Sequence, residues 1–272
     1  MKIVENIAEN NKNTPILIAG QTASGKSDLA FQIAEKLDGT IINADAIQVF
    51  SNWRILTARP SAEDEAKIKH KLYGHVDGDS DYSVGTWLKQ IKKILSDTSK
   101  PIIVGGTGLY FSALSEGLVD IPEIPKKIRL EADSRISKNG LESLIKEIDK
   151  ETARKIDLNN PRRVQRAWEV LISTGRGLNS WHNEKSKPIL NLNQCKTILV
   201  DGEVSSFNKR ITKRFDQMME QGLIREGENN LENWNETFPS SKAIGARELI
   251  AHLQNKITVD ELKEQILIAT RQ

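Results

Sequence analysis

The chain has 272 residues, of which 38% are apolar and 28% charged with a net charge of +2, so it is typical of a globular protein and gives no overall sign of nucleic-acid binding. A single cysteine and four histidines without metal-ligand spacing argue against disulfide, thiolate-zinc and redox sites. The polar first dozen residues and the short apolar run after them fit neither a secretory signal nor a membrane span, so we expect a cytoplasmic protein that does not contact a membrane.

The first predicted element is a phosphate-binding loop between a strand and a helix. Residues Gly20–Ser27, GQTASGKS, match the pattern G-x-x-x-x-G-K-[ST]. The apolar run Pro15–Ala19 predicts a buried parallel strand, and the segment after the loop has helical apolar spacing up to residue 38. Such a loop directs N–H groups and a helix N-terminus at an anion, while Lys26 adds a charge and Ser27 a hydroxyl for Mg²⁺. A glycine turn without a ligand is the weaker alternative, because strand, loop and helix follow in the order that the motif requires.

A detached carboxylate follows the second predicted strand. Residues Thr40–Ala44 form a strand-like run, and Asp45 stands at its carboxyl end, where ligands of open α/β sheets collect. By itself Asp45 could also cap a helix or bind Mg²⁺. The next predicted strand, Pro101–Val104, continues into the glycine turn Gly105–Gly108 and lacks the carboxylate that ATPases and GTPases place there. Two turns suited to anions and one separate carboxylate indicate a site that holds a phosphorylated leaving group and activates a nucleophile opposite it.

The middle of the chain is predicted to be a basic, helical insertion. Residues 119–195 carry 15 Lys and Arg against 11 Asp and Glu. Short amphipathic helices are predicted over residues 125–139, 141–150, 151–158 and 161–174. We therefore predict an α/β protein with a P-loop-type core, a parallel sheet flanked by helices, in residues 1–117 and 196–272. Residues 118–195 would form an all-helical domain inserted into this core.

Arginines lie along one side of the last predicted helix of the insertion. Asn160 can cap its N-terminus, and Pro161 suits its first turn. Trp168 shares an apolar face with Val164, Ala167 and Leu171, so we expect it in the helix core. The arginines off this face are Arg162, Arg163 and Arg166. Such a charged stripe is usually a solvated surface, and an anionic partner is the other interpretation.

Seven blocks of the sequence follow one another in a recognisable order. They are GQTASGKSDLA (20–30), INADAIQVF (42–50), LTARPS (56–61), IIVGGTGLYFSAL (102–114), NNPRRVQRAWEV (159–170), RFDQMMEQGL (214–223) and KAIGARELI (242–250). Together they resemble the tRNA dimethylallyltransferases, also called tRNA isopentenyltransferases. The resemblance extends from Gly20 to the last residue, and several ordered blocks are more specific than any one of them.

The resemblance implies a reaction in which a dimethylallyl group passes from its diphosphate to N6 of the adenosine 3′ to the anticodon of tRNA. Mg²⁺ is the implied cofactor, and diphosphate leaves intact, which fits the missing carboxylate after the third predicted strand. Asp45 resembles the general base, Thr107 a residue near both substrates, and Arg247 an arginine that also binds the diphosphate. The loop residues implied in diphosphate binding are Gly20, Thr22, Ala23, Ser24, Gly25, Lys26 and Ser27, with Ser27 as the metal ligand.

The resemblance also implies contacts to the tRNA anticodon stem-loop. Ala46, Ile47 and Gln48 resemble the segment that contacts the target adenine together with Asp45 and Thr107. The Gln48 amide has the donor and acceptor pair that can read an adenine edge, although a surface amide would be the ordinary interpretation without the resemblance. The implied stem-loop contacts on the insertion are Arg129, Arg162, Arg163, Val164, Gln165 and Arg166. We expect the enzyme to act as a monomer.

Three other functions share part of this pattern. A small-molecule P-loop kinase would have the first loop, but it would need arginines in a lid over the phosphates. A prenyltransferase acting on a free adenine nucleotide would have both glycine turns, but it would not need a basic helical insertion. A non-catalytic RNA-binding module would have little use for Lys26, Asp45 and Thr107 together.

Several positions depart from the family's usual residues. Ala46 replaces Ser, Phe50 replaces Tyr, Asn160 replaces Asp, and Ala246 replaces the Tyr of a GYR triplet. The pair Tyr73-Gly74 stands where two histidines are usual. Each of the four single replacements removes a polar or charged group near a site, so we expect altered tRNA contacts while Asp45 and the other implied catalytic residues remain.

Overall fold

A computed structural model describes residues 4–7, 14–184, 186–201 and 204–271, without the side chains of residues 204–207. Five parallel strands form one sheet in the order β3-β2-β4-β1-β5. The strands are β1 (Ile16–Gly20), β2 (Thr40–Asn43), β3 (Lys69–Lys71), β4 (Pro101–Gly105) and β5 (Lys196–Val200). The three predicted strands are confirmed to within one residue at each end.

Helices connect and cover these strands. Residues 4–7 are helical. The further helices are α1 (Lys26–Leu37), α2 (Ala62–Lys67), α3 (Val84–Ser96), α4 (Gly108–Glu116), α5 (Lys126–Asn139), α6 (Glu142–Ile145), α7 (Lys150–Lys155), α8 (Pro161–Thr174), α9 (Leu178–His182), α10 (Val204–Glu220), α11 (Leu223–Leu231), α12 (Ala246–Leu253) and α13 (Val259–Arg271). Among the described helices, none has both the length and the hydropathy that crossing a bilayer requires.

Both faces of the sheet are covered. Successive residues of a strand point to opposite faces, so Ile16 and Ile18 pack with α1 whereas Leu17 packs with α3 and α4. A further buried cluster joins α10, α11, α12 and α13 to Trp53 and Leu56, which lie in the connection after β2. Because the strands are parallel, the connections that follow β1, β2 and β4 leave the sheet at the same edge.

The chain forms two compact units, Met1–Ser115 with Ile189–Gln272, and Glu116–Pro188. The predicted insertion, residues 118–195, extends seven residues beyond the second junction. The reason is local: the N–H groups of Ile189 and Leu190 both donate to the Leu114 carbonyl, and both side chains pack against the cluster on the α3 and α4 face of the sheet. These residues therefore belong to the core unit.

Every regular secondary-structure element among the described residues of the inserted unit is a helix. As predicted, α8 ends at Gly175, and the Asn160 side chain accepts a hydrogen bond from the Arg163 N–H at 3.2 Å. Trp168 is fully buried and donates to a Glu147 carboxylate oxygen at 2.8 Å, so its predicted core role is confirmed. The helices predicted over 141–150 and 151–158 are shorter, because Asp149 caps α7 and separates it from α6.

Candidate active site

The predicted phosphate-binding loop joins β1 to α1. Gly25 takes a left-handed conformation, with φ of +89°, directly before the helix. A Cβ on Gly20 would lie 2.6 Å from the Val200 carbonyl oxygen and 2.7 Å from the Ser24 hydroxyl, so the loop closes only over a glycine. The Lys26 ammonium donates to the Gln21 carbonyl at 3.1 Å and thus folds back over the loop.

A cavity of about 710 Å³ adjoins this loop and has a basic wall. Arg59 lines it from the connection after β2, and α10 contributes Arg210, Lys213 and Arg214. Nε and one Nη of Arg210 are buried without a hydrogen-bond partner among the described residues. The loop residues that line the cavity are Ala23, Ser24, Gly25, Lys26 and Ser27. Clustered cations in a concave site attract anions, so the cavity suits a multiply charged phosphate group.

Three charged groups at this edge of the sheet interact electrostatically. Burial lowers the pKa of Lys26, the negative charge of Asp45 raises it, and the positive charge of Arg214 lowers it again. The pKa of Arg214 is lowered by burial and raised by Asp45. The two cations are thus only partly balanced by one carboxylate, which leaves a net attraction for a further anion.

Asp45 follows β2, and hydrogen bonds to its backbone and to its carboxylate hold it in place. The buried Asn43 side chain accepts from the Asp45 N–H at 2.9 Å and donates to the Asp45 carbonyl at 2.9 Å. One carboxylate oxygen, Oδ1, accepts from the N–H groups of Ile47 and Gln48 at 2.9 and 3.3 Å. The other oxygen, Oδ2, lies 3.7 Å from the position that a Cβ on Gly106 would take, and Asp45 lines a cavity at this edge of the sheet. Asp45 therefore has a fixed orientation and one oxygen able to accept a proton.

Thr107 joins the turn after β4 to the Asp45 segment. Its hydroxyl oxygen accepts from the Ala46 N–H at 2.9 Å, and its N–H donates to the Ala44 carbonyl at 3.2 Å. The glycine turn is required here, because a Cβ on Gly105 would lie 2.1 Å from the Ala44 oxygen. Thr107 thus lies against the Asp45 segment, and its hydroxyl proton stays available to a ligand. Its predicted place near both substrates stays a prediction.

A second, smaller cavity of about 100 Å³ lies beside the basic one. Gln48 and Arg214 line both cavities, and Asp45 and Thr22 line the smaller one. The rest of its wall is mainly apolar: Ile47, Leu56, Ile211, Phe215, Met218, Ile244 and Ile266. A basic cavity that adjoins an apolar pocket suits a ligand with an anionic head and a short hydrocarbon end.

Not all predicted site residues come together here. Arg247 is the second residue of α12, is exposed, and lines neither of these two cavities. Its predicted diphosphate contact stays a prediction. Arg214, in contrast, had no predicted role, although it opens the block RFDQMMEQGL and lies between the two cavities. The available signal was that block, which places an arginine within an amphipathic helix.

The predicted RNA-contacting residues of the insertion divide by exposure. Arg162, Arg163 and Arg166 are exposed on α8, as predicted, whereas the Val164 side chain is fully buried in the core of the unit. Gln165 donates to Asp133 and Glu169 at 2.8 and 3.0 Å. Although part of the Arg166 side chain is exposed, partial desolvation of its guanidinium lowers its pKa, the charge of Glu169 raises it, and the charge of Arg129 lowers it. The helix thus presents an arginine surface, which consists of Arg162, Arg163 and Arg166.

The model of the IPP transferase family matches residues 48–272. The chain belongs to this family. A tRNA dimethylallyltransferase of Cereibacter sphaeroides strain KD131 is 48% identical to this IPP transferase over 271 residues, which cover 100% of this chain and 86% of the relative. A tRNA delta(2)-isopentenylpyrophosphate transferase of Staphylococcus epidermidis is similar in structure, with 29% identity and a TM-score of 0.62. The match covers 94% of this chain and 86% of the other. A eukaryotic dimethylallyltransferase acting on tRNA has 26% identity and a TM-score of 0.78, and the match covers 95% of this chain and 67% of the other.

The residues of the basic cavity fit a Mg²⁺ ion that is held jointly by the protein and by a bound phosphate group. Mg²⁺ is usually held by one or two protein groups together with oxygens of a substrate phosphate. The described residues contain no group of three or more His, Cys, Asp or Glu that could form an all-protein metal site. Ser27 is exposed in the basic cavity beside Lys26, so its hydroxyl and the oxygens of a bound phosphate group would form a suitable donor set.

Lys26 predicts a pH dependence of diphosphate binding. Because its pKa is lowered from 10.5, the ammonium loses its charge at a lower pH than an exposed lysine. The protonated form attracts the anion, so we expect affinity for dimethylallyl S-thiolodiphosphate, an unreactive analogue, to fall as the pH rises through the lowered pKa. Titration calorimetry from neutral to alkaline pH measures this. Lys26→Arg should remove the step, and the exposed control Lys36→Arg should keep it; a step that persists in Lys26→Arg assigns it to another group.

Proposed function

We propose that this IPP transferase transfers the dimethylallyl group of dimethylallyl diphosphate to N6 of the adenosine 3′ to the anticodon of tRNA and releases diphosphate. One observation carries the proposal: Arg214 and Gln48 stand between a basic cavity and an apolar pocket, with Asp45 in the wall of the pocket. This arrangement can hold the two ends of a prenyl diphosphate and bring its reacting carbon next to a base.

The reaction follows from the charges that these residues carry. As the bond between the allyl carbon and the diphosphate oxygen breaks, positive charge develops on the allyl group and negative charge on the diphosphate. The loop N–H groups, Lys26 and Arg214 stabilise the negative charge more strongly in the transition state than in the ground state. The adenine nitrogen forms the new bond to carbon, and its proton passes to Asp45. When bound, Mg²⁺ held by Ser27 would neutralise part of the diphosphate charge.

The tRNA would be gripped mainly through its backbone. Arginine contacts to phosphates set the register of an RNA, and the target base must leave its stack to reach a reactive group. The arginine surface on α8 is the candidate contact for the anticodon stem-loop, with Arg129 as a further predicted contact. Monomeric action and a cytoplasmic location are parts of the same proposal.

The test is transfer of label from dimethylallyl diphosphate to unmodified tRNA in the presence of Mg²⁺. We expect label in a tRNA with adenosine 3′ to its anticodon and none in a tRNA with another base there. Label in AMP instead of tRNA would identify a prenyltransferase for free nucleotides. Consumption of ATP without label transfer would identify a kinase.

The arginine surface predicts a particular salt dependence. Each phosphate contact contributes roughly 0.7 to 0.9 to the slope of log affinity against log salt. Arg162→Ala combined with Arg166→Ala should therefore weaken tRNA binding and reduce this slope by roughly 1 to 2, measured by filter binding over a salt series. Arg154→Ala with Lys155→Ala removes the same charge from exposed positions of α7 and serves as the control. An unchanged slope in the α8 variant, or an equal change in the control, would exclude a specific role for α8.

A further inference from the structure

Helix α11 binds the backbone of the connection after β2. One carboxylate oxygen of Glu226 accepts from the N–H groups of Arg54 and Ile55, both at 2.7 Å, and the other accepts from the N–H of Leu56 at 2.9 Å. Three consecutive backbone donors therefore share one carboxylate. A carboxylate that accepts several backbone N–H bonds is a strong, charge-assisted anchor.

A second residue on the same face of α11 extends this contact. Asn230, one turn after Glu226, donates to the Asn52 carbonyl at 3.0 Å and accepts from the Asn52 side chain at 2.9 Å. Between them, Gly227 packs closely on α12, where an added Cβ would lie 2.8 Å from Leu253 and 2.9 Å from Leu249. The helix is thus seated on α12 and fixes residues 52–56 from that position.

The anchored segment leads directly to Gln48. Its next two carbonyls, those of Thr57 and Ala58, accept from the Gln48 side-chain nitrogen at 2.8 and 3.2 Å. Ala58 has a φ of +51°, which aims its carbonyl in a direction that an ordinary extended residue would not take. Because both amide protons are used, the Gln48 side chain offers a ligand its oxygen alone.

We propose that Glu226 is a positioning residue for substrate recognition, acting through residues 54–58 on the Gln48 amide. The idea rests on the proposed function: the free Gln48 oxygen accepts one proton of the adenine amino group, while Asp45 removes the other. Fixing the two carbonyls that hold the Gln48 nitrogen fixes this oxygen. A purine with a carbonyl in place of the amino group would bring its oxygen against the Gln48 side-chain oxygen and be repelled. The fixed Gln48 amide therefore selects a purine that carries an amino group.

Hydrogen exchange tests the anchor without any activity measurement. Glu226→Ala should speed amide exchange of residues 54–56 at least tenfold, while exchange in β1 and β4 stays unchanged. The exposed Glu228 on the same helix provides the control, and Glu228→Ala should leave residues 54–56 protected. Exchange that is unaffected in Glu226→Ala would overturn the anchor.

A double-mutant cycle tests the effect on Gln48. Gln48→Ala and Glu226→Ala should each lower kcat/KM for tRNA by about tenfold, because each removes one hydrogen bond to the substrate or its support. The double variant should be no slower than Gln48→Ala alone, since the two act through one contact. The affinity of Glu226→Ala for dimethylallyl S-thiolodiphosphate should stay within a factor of two of wild type, because Glu226 lines neither cavity. Should Glu226→Ala not fold, Glu226→Gln takes its place in both experiments, because it keeps the shape and loses part of the acceptor capacity.

The outcomes distinguish a failure of the positioning role from a failure of the proposed function. Multiplying losses in the double variant, or an equal loss of diphosphate affinity, would show a general structural role and overturn the positioning role. Wild-type protein that transfers no label to tRNA would instead overturn the proposed function.

Discussion

Asp45→Asn is expected to lower kcat for tRNA prenylation by about 10²- to 10⁴-fold, the usual contribution of a positioned general base. The substitution keeps an oxygen that can accept from the Ile47 and Gln48 N–H groups, so the local backbone should stay in place. It removes the proton acceptor at Oδ2. It also removes the negative charge that partly balances Lys26 and Arg214, so diphosphate affinity should hold or rise.

Single-turnover transfer of labelled dimethylallyl groups, with both substrates saturating, measures the chemical step of this variant. Asp97→Asn, at an exposed position after α3, changes the net charge equally and should keep wild-type kcat. If Asp45→Asn kept its kcat but lost diphosphate or Mg²⁺ binding, the carboxylate would be a binding group and not the base.

The parts of the fold that the sequence predicts are those with a local signal. The strands before the two glycine turns are unbroken apolar runs, and α8 combines a capping asparagine, a first-turn proline and a closing glycine. β3 was not predicted, because its residues, Lys-His-Lys, show neither apolar alternation nor an apolar run. It pairs at the sheet edge through backbone groups, which leave little trace in the side chains.

The residues of the candidate site also divide into those with a local signal in the sequence and those without one. Asp45 could be found because it stands at the carboxyl end of a predicted strand, and Lys26 because it belongs to the motif G-x-x-x-x-G-K-[ST]. The contact between Glu226 and Ile55 joins residues 171 positions apart, and no local pattern indicates it. The sequence also leaves open which half of the Gln48 amide faces a ligand, since the neighbouring carbonyls of Thr57 and Ala58 decide this. Contacts that set orientation thus came from the structure, and residue chemistry came from the sequence.

Arg214→Ala is expected to lower kcat/KM for dimethylallyl diphosphate by about 10²- to 10³-fold, the effect of removing one donor aimed at developing negative charge. The side chain is half-buried between the two cavities, where water screens its charge less than at the surface. Arg214→Lys should recover only part of the loss, because an ammonium keeps the charge but cannot bind two phosphate oxygens as a fork.

Steady-state kinetics at saturating tRNA, with the dimethylallyl diphosphate concentration varied, measure this loss. The exposed Lys209 on the same helix supplies the charge-matched control, and Lys209→Ala should stay within about twofold of wild type, as substitutions at exposed sites outside such features usually do.

Arg247→Ala in the same series tests the predicted diphosphate contact of Arg247 directly. Since Arg247 is exposed and lines neither cavity, its loss should be smaller than that of Arg214. A larger loss for Arg247→Ala would mean that substrate binding brings the start of α12 to the diphosphate, which would give both arginines a role in holding the leaving group.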